Sequence, residues 1–135
     1  MNYGKKNIST GLLVLATFMA YGFGLIYMRD FAPDKVEWIA NSHTGTHFEA
    51  RLAHVHGNLF ALLNIILGYL LLNLNIREIA KKWISILLLV AFLMPLGIVA
   101  EFTLGVPPIF VLIGAISAVT AVAWFGIEVY KSDKK

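Results

Sequence analysis

Cysteine is absent from the 135 residues. That excludes disulfides, cysteine-based zinc sites, iron–sulfur ligation and covalent c-type haem attachment. Charge is scarce as well: 14% of residues are Asp, Glu, Lys or Arg, against 59% that are apolar. A soluble domain of this size needs a charged shell that such a composition does not supply. Only four prolines interrupt the chain, and no repeat or low-complexity tract divides it. The pI near 9.3 does not indicate a nucleic-acid partner, because the basic residues flank apolar runs instead of forming a patch.

What the chain does have is long apolar runs. About 20 apolar residues are needed for a helix to cross the hydrocarbon core. Runs over residues 8–28, 52–74, 83–100 and 108–129 meet that need. The reading is an all-α, four-transmembrane-helix bundle in one domain, residues 1–135, with helices near 8–28, 46–74, 83–101 and 108–130. Lys5 and Lys6 precede the first run as in a signal peptide, but it closes on "GLIYMRD" with no small-residue cleavage site, so a retained helix is expected. Pro95 lies inside the third run and predicts a kink there, whereas Pro107 and Pro108 suit the first turn of the fourth helix.

Orientation follows from Lys and Arg placement. Lys5, Lys6, Arg77, Lys81, Lys82, Lys131, Lys134 and Lys135 fall on one side, and only Arg29, Lys35 and Arg51 on the other. Both termini are therefore expected in the cytoplasm, with the protein in the cell membrane. Trp38, Trp83, Tyr27, Tyr69 and Tyr130 lie near run ends, where aromatic belts form.

All four histidines, at 43, 47, 54 and 56, precede or open the second helix. "THFE" reads as a capping box, with Thr46 as N-cap and Glu49 reaching back. At about 100° per residue, Gly57, Ala61, Asn64 and Gly68 lie within about 80° of His54 on one side. His47 and Asn58 share the stripe, and His56 points away from it. Small residues let a helix or a flat ligand approach closely, and polar groups at this depth tend to face the interior. The bland alternative is that His54, Asn58 and Asn64 only bond neighbouring helices. A lone imidazole can also hold haem iron. His54 is then the axial metal ligand, Arg51 a partner for a propionate, and Gly57, Asn58, Ala61 and Asn64 the lining. His43, His47 and Glu49 form a weaker metal candidate, because "TGT" breaks the helix between the two histidines.

Elsewhere, Thr17, Tyr21 and Gly24 share a face of the first helix, with Tyr21 either a pocket donor or a helix–helix hydrogen bond. Gly114, Ser117, Ala118 and Ala121 share a face of the fourth, suited equally to packing within the chain or between subunits. Glu128 reads as a snorkelling surface group.

The segments "GLLVLATFMAYGFGL" and "RLAHVHGNLFALLN", in this order and separated by a turn-rich loop, resemble the four-helix membrane family of styrene oxide isomerase and hydroxylaminobenzene mutase. The resemblance implies haem b bound through His54 between the subunits of a homotrimer. It also implies ferric iron acting as a Lewis acid on a small hydrophobic epoxide to give an aldehyde. The pattern departs at Phe60, where the isomerase has an asparagine, with Asn58 and Asn64 on either side. It departs again at Ala91 and Val99, where the isomerase has a substrate-holding aspartate and tyrosine. Glu101 is the nearest acid and could orient His54. Haem binding thus carries over better than catalysis, which leaves open a non-enzymatic accessory subunit, or a haem sensor or electron carrier.

Overall fold

The computed structural model describes residues 2–132, so Lys134 and Lys135 of the charge count lie outside the described residues. Six helices form among them: α1 (Tyr3–Asp30), α2 (Lys35–Ala40), α3 (Gly45–Asn73), α4 (Glu78–Val90), α5 (Leu93–Leu104) and α6 (Ile109–Ser132). Taken together, α4 and α5 span Glu78–Leu104, and with α1, α3 and α6 they make four helices long and apolar enough to cross a membrane. Their outward surfaces carry large apolar side chains such as Leu13, Phe23, Tyr69 and Val119. Such an exterior suits hydrocarbon and would be a liability in water.

The ends of the elements differ from the sequence reading for local reasons. α1 begins earlier because the Asn2 side chain accepts from the Lys5 amide. At α3 the capping box does not form. The N-cap is Thr44, without a side-chain bond, and Thr46 already lies within the helix. Gly45, at φ 59°, turns the chain at that point, a conformation glycine adopts without steric penalty. Of residues 75–82, which fall between the second and third expected helices, those from Glu78 onward belong to α4, with Ala80 buried and Lys81 paired to Glu78 at 3.0 Å. The third span is interrupted at Ala91–Phe92, one turn before Pro95. Pro95 has no N–H for the Ala91 carbonyl, and the Met94 amide bonds it instead at 3.0 Å.

α1 and α3 run antiparallel along a seam of glycines. A methyl group at Gly11 would stand 2.8 Å from the Ala61 carbonyl oxygen, and one at Gly68 would stand 2.9 Å from that of Gly4. At Gly57 the Phe18 ring fills the space. Gly114 of α6 lies against the Met94 backbone. Ser117, Ala118 and Ala121 are buried beside it, so this small-residue face packs within the chain. Two apolar clusters complete the core. One joins Leu71, Ile84, Leu88 and Phe125, and the other Phe60, Ala61, Phe92 and Ala118.

Buried polar groups tie the bundle at the end away from α2. Asn7, Asn64 and Ser85 are fully enclosed. The Asn7 amide donates to Asn64 Oδ1 at 2.8 Å and to the Ser85 carbonyl at 3.1 Å, and the Ser85 hydroxyl donates to Asn7 Oδ1. Asn64 donates in turn to the carbonyls of Phe60 and Leu88, at 3.0 and 2.9 Å. Glu128 is not a surface group: it is 3% exposed, held by Arg77 through both carboxylate oxygens and by Trp124 Nε1. Arg77 supplies the charge and donors that make this burial tolerable.

Asn64→Leu keeps the volume and removes these bonds. It should lower stability in detergent by about 1–3 kcal/mol, the usual consequence of orphaning a buried partner. Asn73→Leu, at the exposed end of α3, should leave the thermal transition in place.

Candidate functional site

At the α2 end the seam between α1 and α3 opens into a groove of about 880 Å³. That lies within the range of small-molecule sites, about 300–1,000 Å³. α1 supplies apolar walls from Leu15, Met19, Phe23 and Ile26, with Gly22 between them and Arg29 at the mouth. α3 supplies His47, Arg51, His54 and Asn58. Their spacing of four, three and four residues stacks them along one helix face, which is why a single α-helix can present all four. Ile39 of α2 and Ser42 close the mouth.

Most polar groups here have partners. His47 stacks on Trp38, with ring centroids 4.2 Å apart and planes 15° from parallel, and its Nδ1 bonds the Trp38 carbonyl. Arg51 donates to the Ser42 carbonyl at 3.2 Å. Arg29 pairs with Asp30 at 2.7 Å. The Tyr21 hydroxyl donates to the Ala50 carbonyl at 3.1 Å, so it is a helix–helix hydrogen bond and not a pocket donor.

Two groups differ. The half-buried His54 ring, tilted 37° to Tyr21 with centroids 6.1 Å apart, makes no hydrogen bond among the described residues. Asn58 donates to the His54 carbonyl at 2.9 Å, while its Oδ1 is buried with no partner. An unmet acceptor inside an apolar bundle is unusual.

The six residues proposed from sequence therefore divide. His54, Arg51 and Asn58 line the groove. Gly57 lies under Phe18, Ala61 faces Gly11, and Asn64 belongs to the distant polar network. These three face α1 or the third span instead of the groove. His56 turns away, bonding the Leu52 carbonyl at 2.9 Å and meeting Phe60 edge-on. His43 borders a separate small pocket with Phe48 and Val55. No group of three His, Asp or Glu able to hold a metal ion occurs among the described residues, so His43, His47 and Glu49 do not converge. Glu101 is exposed on α5 and does not line the groove or bond His54. Sequence reasoning singled out Gly24, which has nothing within 4 Å, and missed Gly22. The signal was there: Gly4, Gly11, Phe18 and Gly22 recur at helical spacing along the α1 face that meets α3.

The class defined by this arrangement is an all-helical protein with four helices long and apolar enough to cross a membrane, a lateral groove that is apolar within and basic at its mouth, and one imidazole on the groove wall without a hydrogen bond among the described residues. No family model, no curated protein and no solved structure matches the chain.

α2 buries none of its residues and is held over the mouth by Trp38–His47 and Arg51–Ser42. Trp38→Ala should speed tryptic cleavage after Lys35 several-fold. The thermal transition of the bundle should move by no more than about 0.5 kcal/mol, as for other substitutions outside the core.

Proposed function

We propose that this protein binds haem b in the α1–α3 groove, with His54 as the axial ligand and Arg51 pairing a propionate. The observation that carries the reading is the unbonded imidazole of His54, on the wall of a groove large enough for a flat apolar ligand. A lone histidine suffices for haem iron, so the lack of a multi-residue metal cluster is no obstacle. Arg51 is a cation one turn from His54, as a carboxylate-bearing ligand requires. The groove is open on its lateral side, which suits cover by a second copy; a homo-oligomer, a trimer by resemblance, is part of the proposal.

Bound ferric haem would supply Lewis acidity at an open coordination position. The substrate class by resemblance is a small hydrophobic epoxide reaching the groove from the lipid. The apolar walls would exclude water, and Asn58 would offer its unpaired carbonyl oxygen to a donor. Ala91, which is buried, and Val99 have no polar group with which to hold such a substrate, so the isomerase reaction rests on analogy alone. We also read the interrupted third span as a kink at Pro95. Both termini and the connection at residues 75–77 are assigned to the cytoplasmic side of the cell membrane.

Protein purified in mild detergent from haem-replete cells should show a Soret band. His54→Ala should abolish it, His56→Ala should retain it, and Arg51→Gln should weaken haem affinity about threefold to tenfold, the share of a partly exposed ion pair. A colourless oligomer would replace the cofactor reading with an accessory role in a larger membrane complex. Because the chain lacks cysteine, orientation can be read from single substitutions without a background. His43→Cys should react with a membrane-impermeant maleimide in intact cells, and Lys82→Cys only after permeabilisation. The reverse pattern would invert the topology.

A further inference from the structure

The His54 imidazole meets α1 at Gly22, with Nε2 leading. A methyl group there would stand 2.8 Å from Nε2 and 3.4 and 3.6 Å from the two ring carbons beside it. These three nearest atoms all belong to the one ring. Both carbons are nearer than an approach along the Nε2 lone pair would leave them and farther than one straight over the ring face would, so the point lies obliquely above the Nε2 corner of the ring. The Gly22 backbone lies one bond length beyond that point. A flat porphyrin set on Nε2 with the ring in this position would run into the α1 backbone at Gly22.

We propose that Gly22 is a parking place for the ligand imidazole. At rest the ring lies with Nε2 against α1, and it must swing about its side-chain torsions into the groove before Nε2 can bind. This rests on the reading of His54 as the ligand residue. The swing breaks no hydrogen bond, since the ring makes none among the described residues. The missing Cβ is what makes the parked position possible. At the other seam positions, Gly11 and Gly68, a methyl group would meet a backbone carbonyl, which has no such freedom to move aside. At Gly22 the obstacle is the far end of a side chain that has the groove to move into. Gly22 is therefore a positioning residue that sets how much of the protein is competent to bind.

When only a fraction of molecules is competent, the apparent affinity falls by that fraction. Removing the parked position should restore it. Titration of detergent-solubilised apoprotein with ferric haem should show Gly22→Ala binding about threefold to tenfold tighter than wild type. Gly24→Ala, two residues along in open space, should match wild type. A second readout needs no haem. Diethyl pyrocarbonate acylates free imidazole nitrogens, and peptide mapping separates the four histidines. His54 should be acylated more slowly than the exposed His43 in wild type, and about threefold or more faster in Gly22→Ala than in wild type. Unchanged or weaker haem binding together with unchanged acylation in Gly22→Ala would overturn the proposal. So would equal rates at His54 and His43 in the wild-type chain, a comparison that needs no variant to fold. If no chain binds ferric haem, the cofactor reading falls by itself, and the acylation rates still decide whether the ring is parked.

Discussion

The architecture depends on how closely α1 and α3 approach. Toward the end away from α2, the seam is backbone against backbone, because Gly4, Gly11 and Gly68 carry no side chain to hold the helices apart. Toward α2 the partners change: Phe18 lies over Gly57 and His54 over Gly22. A layer of rings replaces direct backbone contact, and the seam opens into the groove. The same glycine chemistry thus locks one end of the helix pair and makes room for an imidazole at the other.

Polar groups inside the bundle follow two regimes. Asn7, Asn64 and Ser85 exchange bonds with one another and with carbonyls of α3 and α4, and Glu128 is clasped by Arg77 and Trp124. Each of these sites is closed and pins helix to helix. In the groove, the His54 ring and Asn58 Oδ1 have no hydrogen-bond partner among the described residues. Leaving a buried polar group without a hydrogen bond is costly, and among the described residues Asn58 Oδ1 is in that position. The contrast distinguishes the groove from the rest of the interior.

Much of this was legible in residue order. Run lengths located the four spans, because hydrocarbon thickness sets a length that composition alone can test. The stripe carrying His47, His54 and Asn58 followed from helical periodicity, and Arg51 from its place about one turn from His54. Other residues were misjudged for identifiable reasons. Thr46 had the right sequence for a cap, yet Gly45 turns the chain one residue earlier. Glu128 looked like a surface carboxylate because its partner, Arg77, lies 51 residues away. Asn64 and Ala61 shared an angular sector with His54, but several turns along α3 the neighbour on that side is another helix instead of the groove.

What the sequence determined by itself is the class: cysteine-free, charge-poor, four apolar helices, histidines gathered at one end. Those features depend on composition and on periodicity within a single helix, both properties of local chain. Which half of the α3 stripe packs and which half faces open space was decided only in three dimensions. So was the choice of Gly22 over Gly24. Both depend on the register between α1 and α3, and register is set by many side chains meeting at once, a quantity that no one helix contains.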